Sequence, residues 1–372
     1  MGIFIAVVLA RLLVPLLIPR FALPAILAAL VIDAADQTIF QQFTDLELDG
    51  YQGYDKALDV YYLAIAYLAT IRNWRDPFAY KVAAFLWYYR LVGVVLFELT
   101  DTRALLLIFP NTFEYFFIAY EAVRTRWNPL RLSRRAVIGM AASIWIFVKL
   151  PQEWWIHIAQ LDFTDFMKED VLGVTVDTGW GEAFSQNLWF VALVAVLAVV
   201  LFFAARAGLR KAPAPDWGFT VDVDRHLPPP SSDGGVGRVP VVSWYTFEKV
   251  ALMGLLWVIF AQVIPSSTSE PWQIILGVAV IVGANAILTQ WLISRWSLDW
   301  TSLGRHALAT IAMNLLIVVG YLVLLRSSDE ETNNAATLFF VLLLSLVVTL
   351  FDRFHLVRTA RKRTETAAGD PA

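Results

Sequence analysis

The sequence predicts an all-α fold, a polytopic integral membrane bundle of about ten transmembrane helices preceded by an N-terminal apolar helix. Three observations predict it. The 372 residues are 58% hydrophobic and only 16% charged, whereas soluble globular chains average about 45–50% and about 25%. Apolar runs of bilayer-crossing length recur along the chain. Basic and acidic residues also alternate between successive connections, as the positive-inside rule requires of a chain that crosses and recrosses one membrane.

The elements follow in order. Residues 3–18 are apolar but hold Arg11, Pro15 and Pro19, which favours a helix lying in the interface or half inserted over an eleventh span. They lack a basic first segment and a small-residue cleavage site, so they read as mature protein, not a signal peptide. Spans are expected at 22–41, 55–72, 79–98, 103–125, 134–156, 184–207, 247–264, 272–294, 303–325 and 335–351, each near the about 17–25 residues a bilayer needs. On one side lie Arg72 and Arg75; Arg124, Arg126, Arg131, Arg134 and Arg135; Arg206, Arg210 and Lys211; Arg295 and Arg305; and Arg353, Arg358, Arg361, Lys362 and Arg363. The other side carries the acidic groups around Asp45, Asp101, Asp162, Glu270 and Asp329. The basic side is cytoplasmic by this rule, and the C-terminus lies there.

Four regions result. Residues 1–207 form a helical half with charged residues inside its spans. Residues 208–246 are a cytoplasmic linker rich in Pro and Gly, including Pro213, Pro215, Pro228 and Gly234. Residues 247–351 form a charge-poor four-helix half. Residues 352–372 are a basic, then disordered, cytoplasmic tail. Asp222, Asp224 and His226 alternate as on a strand and read as a solvated hairpin. Glu248 and Lys249 read as the mark of a helix start.

Composition also excludes function classes. The net charge of −3 supports no global field, and basic residues cluster only in short loops, so no nucleic-acid partner is expected. Cysteine is absent, which rules out disulfides and thiolate metal sites. The fifteen Trp residues, many at expected helix ends such as Trp74, Trp127, Trp154 and Trp189, fit interfacial belts. There is no phosphate-cradling Gly loop, nucleophile elbow or H-E-x-x-H. No nucleotide or redox cofactor is implied.

The chemistry-bearing residues concentrate in the first half. Asp33, Asp36 and Gln37 share one helix face at i, i+3 and i+4. Asp55, Asp59 and Tyr62 do the same, and Lys149, Glu153 and His157 follow i, i+4 and i+8, with Pro151 able to bend that helix. Arg90, Asn111 and Glu114 complete the set. At 1.5 Å per residue Asp33 lies about 16 Å from the start of its span. A charge there costs roughly 2.5–3.5 kcal/mol on insertion scales and must pair or line a wet cavity. Two pairings are natural: Arg90 with Glu114, and Lys149 with Asp33 or Asp36. They leave an excess of acid, which points to an outward-facing polar cavity.

In that cavity Asp33, Asp36 and Glu114 are the candidate catalytic groups. Gln37, Asp59, Arg90, Asn111, Lys149, Glu153 and His157 are the candidate substrate-binding groups. A metal at His157 with Asp162 and Asp165 is the weaker reading of a lone interfacial His, and none is assigned there. One expectation is an enzyme acting on a lipid or lipid-linked substrate. Asp33 and Asp36 would serve as general base or as ligands of a divalent cation, and Arg90 and Lys149 would hold a phosphate. The acidic residues after the first span are similar in placement to those of membrane glycosyltransferases using polyprenyl-phosphate donors, although the first outer loop is short and no large outer domain follows. The D-G-x-x-A-R signature of CDP-alcohol phosphotransferases is absent. Asp55 and Asp59 echo the prenyltransferase Asp-rich pattern at a different separation. The alternatives are a proton-coupled transporter or flippase, in which Asp33 or Glu114 exchanges a proton, and a non-catalytic subunit of an envelope assembly. The compact loops and Arg preference suggest a bacterial plasma membrane, with the lipid bilayer as the principal partner. The oligomeric state is not readable.

Overall fold

A computed structural model describes residues 2–43, 51–227, 244–263, 283–284, 308–316 and 334–367. These residues are helical or irregular, with no strand among them. Among the described residues three helices are long and apolar enough to cross a membrane: Pro77–Thr100, Leu188–Gly208 and Phe339–Lys362. Of the expected spans 272–294 and 303–325 only residues 283–284 and 308–316 are described.

The chain opens with α1 (Gly2–Leu13), which tightens into a 3₁₀ turn at Val14–Leu17 where Pro15 cannot donate a backbone hydrogen bond. This segment packs on α2 (Ala22–Phe43) and α3 (Tyr51–Asn73). It is therefore part of the bundle. The reason is Arg11, which is buried with its guanidinium turned inward.

α3 is the central helix. Every residue from Val60 to Trp74 is buried, and Ala64, Ala66 and Ala69 let neighbours approach closely. α4 (Pro77–Thr100) begins at Asp76, whose carboxylate accepts the Phe78 N–H at 2.8 Å, with Pro77 in the first turn.

The expected span 103–125 is not continuous. It divides into α5 (Ala104–Ile108) and α6 (Thr112–Arg124). Pro110 lacks the N–H that would continue the helix, and the chain turns with Thr112 N bonded to the Pro110 carbonyl at 2.8 Å. The break sits against α4 at Gly93, where an added Cβ would come within 2.1 Å of the Phe109 Cβ. Gly93→Ala is therefore expected to destabilise the protein by about 1–3 kcal/mol through overpacking. A thermal melt in detergent checks this, and an unchanged midpoint would show that Phe109 can move aside freely.

α7 (Arg134–Ile144) continues through π turns at Trp145–Lys149 and Trp154–Ile158, with Leu150–Glu153 between them. Pro151 lies inside this run and cannot donate to an i−4 carbonyl, so the wider turns accommodate it. After the acidic connection come α8 (Trp180–Gln186) and α9 (Leu188–Lys211). None of the apolar window of α9 is buried.

Residues 212–227 do not hang free as a linker. They cross the arginine-rich end of the bundle, where Val223 enters the core and its N–H bonds the Arg20 carbonyl at 3.0 Å. Asp222, Asp224 and His226 are not on a strand. They belong to a 3₁₀ turn (Val223–His226) tied down by Arg20–Asp222 at 3.3 Å and Arg72–Asp224 at 2.7 Å.

α10 (Trp244–Val263) and α11 (Asn334–Ala367) pack on α3 and α4 and share one apolar core with them. α11 runs on past residue 351 as helix. Its basic residues Arg358 and Arg361 lie over the Tyr80 ring and on the Arg72 carbonyl, at 3.9 Å and 2.7 Å. Glu248 and Lys249 mark no mere boundary: both are buried. Tyr67 and Tyr80 donate to Glu248, and Lys249 meets Asp352 at 2.9 Å.

Candidate functional site

Two polar layers meet near the C-terminal end of α2 and the N-terminal end of α3. The first is built on Arg11. Its two terminal nitrogens donate to Asp33, Asp36, Asp55 and Asp59, the last at 2.5 Å. The i, i+3 spacing on α2 and the i, i+4 spacing on α3 turn both aspartate pairs toward the same guanidinium. The layer is open on one side only: the Asp55 and Asp59 side chains are 40% and 41% exposed, whereas those of Asp36 and Arg11 are 3% exposed.

One guanidinium cannot balance four carboxylates. Asp33, Asp55 and Asp59 each place one oxygen within 4.8 Å of the other two, a spacing that could hold a metal ion. The donors are all hard oxygens, so the set fits magnesium, manganese or calcium better than zinc or copper. Asp36, which the sequence nominated as a catalytic group, is instead the buried anchor of Arg11. Asp33 keeps a place in the exposed group. The Gln37 side chain lies outside the described residues.

The second layer surrounds the break between α5 and α6. Glu114 sits in the first turn of α6, where free backbone N–H groups favour a negative charge. It accepts hydrogen bonds from Tyr62 at 2.7 Å and from Asn111 Nδ2 at 3.0 Å. The Asn111 N–H donates to Glu153 at 3.1 Å, and Glu153 meets His157 at 3.1 Å one turn along. Lys149 is buried, 4.0 Å from Glu114 and 4.1 Å from the Tyr115 ring centre. The Asn111 Oδ1 and the Thr112 hydroxyl are enclosed without hydrogen-bond partners.

Both pairings expected from sequence are corrected. Arg90 does not bond Glu114; its guanidinium donates to the Phe109 carbonyl at 3.1 Å, an acceptor that the broken helix leaves open. Lys149 faces Glu114, not Asp33 or Asp36. Asp162 caps the turn at Phe163–Asp165 through the Thr164 N–H at 2.6 Å, and His157 is engaged by Glu153.

Asp33, Asp36, Asp59 and Glu114 were candidates from the sequence; Asp55 and Arg11, which the structure brings to the same cluster, were not. Arg11 was visible as a lone cation in an apolar run, and with four acids downstream it was the obvious partner to seek. Tyr62 shares the face of Asp55 and Asp59, and that spacing could have marked it.

An all-helical protein with helices of membrane-crossing length and an acid-rich internal site is the class that fold and site define. Compared with protein-family models, with curated proteins and with solved structures, the chain matches none, so the site is read from its own geometry.

Proposed function

We propose that the protein is a multi-pass membrane enzyme, with about ten crossings and a cytoplasmic C-terminus, that acts on a lipid or lipid-linked phosphate substrate with the help of a divalent cation. The observation that carries this is the convergence of Asp33, Asp55 and Asp59 from two helices on one partly open point. A cation bound there would supply charge stabilisation for a phosphate oxygen. Arg11 holds the aspartates in place from the closed side. Lys149 and Arg90 lie in the neighbouring layer and add positive charge for a polar headgroup. The membrane setting is supported by α9, a helix apolar on every face and buried on none. Hydrocarbon solvates such a surface without the cost that water imposes. The alternation of basic and acidic connections supports the crossing number and the orientation, and a bacterial plasma membrane fits the compact loops.

A second reading, a proton-coupled transporter, rests on the break at 109–111. Interrupted helices at a polar centre are a recurrent feature of transporter substrate sites.

One experiment separates the two. Manganese titrated into the purified full chain in nanodiscs is expected to bind, seen by electron paramagnetic resonance. The Asp55→Asn/Asp59→Asn variant is expected to weaken that binding at least tenfold. An absence of manganese binding overturns the enzyme reading. If liposomes then show proton flux that Asp33→Asn abolishes, the transporter reading takes its place.

A further inference from the structure

A small, partly open recess lies at the opposite, arginine-rich end of the molecule, between the α3–α4 turn, the C-terminal end of α6, the 128–130 turn and the segment 217–227. Among the described residues its charged lining is Arg75 and Arg124, with no carboxylate. Glu121, which meets Arg124 at 2.6 Å, faces a smaller recess next door, as does Asp222. Trp74, Tyr120 and Trp217 supply flat aromatic walls.

The third polar group is His226. Its ring stacks on Trp217 with 4.1 Å between centres. Trp217 is in turn fixed by an indole N–H bond to the Arg124 carbonyl at 3.0 Å. The His226 Nε2 is enclosed by protein and has no hydrogen-bond partner. A buried polar atom left unsatisfied is costly unless something completes it. The segment carrying it is not loosely placed: the Thr220 N–H bonds the Thr125 carbonyl at 3.0 Å, and the Asp216 N–H bonds the Arg126 carbonyl at 3.0 Å.

We propose that this cavity is a binding site for a phosphate monoester group, held by Arg75 and Arg124 with the His226 Nε2–H as a further donor. Two guanidinium groups and an imidazole suit a tetrahedral dianion, whose oxygens accept in several directions, better than a planar carboxylate. The recess is small, so it suits a compact group such as a phosphate and not a large ligand. Burial, then the positive charges of Arg124 and Arg225, hold the imidazole below its ordinary pKa. An anion in the cavity offsets that positive field. The phosphate has two sources at this level of the molecule: a lipid headgroup, or free phosphate from solution.

The test uses the full chain in phosphatidylcholine nanodiscs, radiolabelled inorganic phosphate, and the variants Arg75→Gln and His226→Leu. Arg124 is left alone because it also pairs with Glu121. Saturable phosphate binding, weakened at least tenfold in both variants while their phosphate-free melting midpoints stay unchanged, supports the site with free phosphate as ligand. If free phosphate does not bind, but nanodiscs containing phosphatidic acid raise the melting midpoint of the parent and not of either variant, the ligand is a lipid headgroup. If neither occurs, or if both variants behave like the parent, the proposal is overturned.

Discussion

Arg11→Met is expected to destabilise the protein by about 3–5 kcal/mol, the cost of stripping one partner from a buried ion cluster. Methionine matches the length of the arginine stem, so packing in α1 changes little. What is lost is the cation to which Asp33, Asp36, Asp55 and Asp59 all accept. Four carboxylates then face one another across α2 and α3, and their repulsion acts in a medium of low dielectric. Thermal melting in detergent reads the effect. Millimolar manganese is expected to return part of the lost stability, because an ion between Asp33, Asp55 and Asp59 replaces the missing charge. A midpoint equal to that of the parent would show that the guanidinium does not sit among the acids. A large loss that manganese leaves untouched would separate the structural role of Arg11 from the cation chemistry proposed for its neighbours.

The second large effect lies at the other end of the bundle. The Lys249 and Asp352 side chains are 1% and 0% exposed and meet at 2.9 Å, and Tyr245 also donates to Asp352. Lys249→Met removes the cation beside a buried carboxylate and is expected to cost about 3–5 kcal/mol. Asp352→Leu leaves a buried ammonium and is expected to cost about the same. The double variant is expected to be clearly more stable than the sum of the singles predicts, because apolar replacements of a whole buried pair are often neutral. Chemical unfolding of the four proteins closes the cycle. Additive losses would mean that the two groups do not interact.

The helices of this fold are legible in the sequence to the extent that apolar runs and local signals define them. α2, α3, α4 and the helical run that α7 opens and Ile158 closes begin and end within a few residues of the expected spans, and Pro77, Asp76 and Ser133 mark two of their starts locally. The break at Pro110 was not read, since one proline in an apolar run signals a kink and a full interruption alike. What closes the break is Arg90 on another helix, and no local signal announces that. The candidate site was half legible for the same reason. Spacing along one helix tells which side chains share a face, so the aspartate pairs stood out. Which cation they meet depends on how α1 folds back across α2, a tertiary fact. Glu248 and Lys249 were misread because a charged pair at a helix start is ordinarily solvated. Here α11 continues beyond its apolar stretch and brings Asp352 over them.

α9 carries a consequence for divergence. Among the described residues it touches little beyond its own neighbour α8, so no partner surface discriminates between leucine, valine or phenylalanine at any position along it. Descendants of a common ancestor are free to exchange such letters there, provided the stretch keeps its length and its oiliness. Two homologues with the same architecture would therefore share the least identity in this helix and the most along α3, where every side chain from Val60 to Trp74 is enclosed.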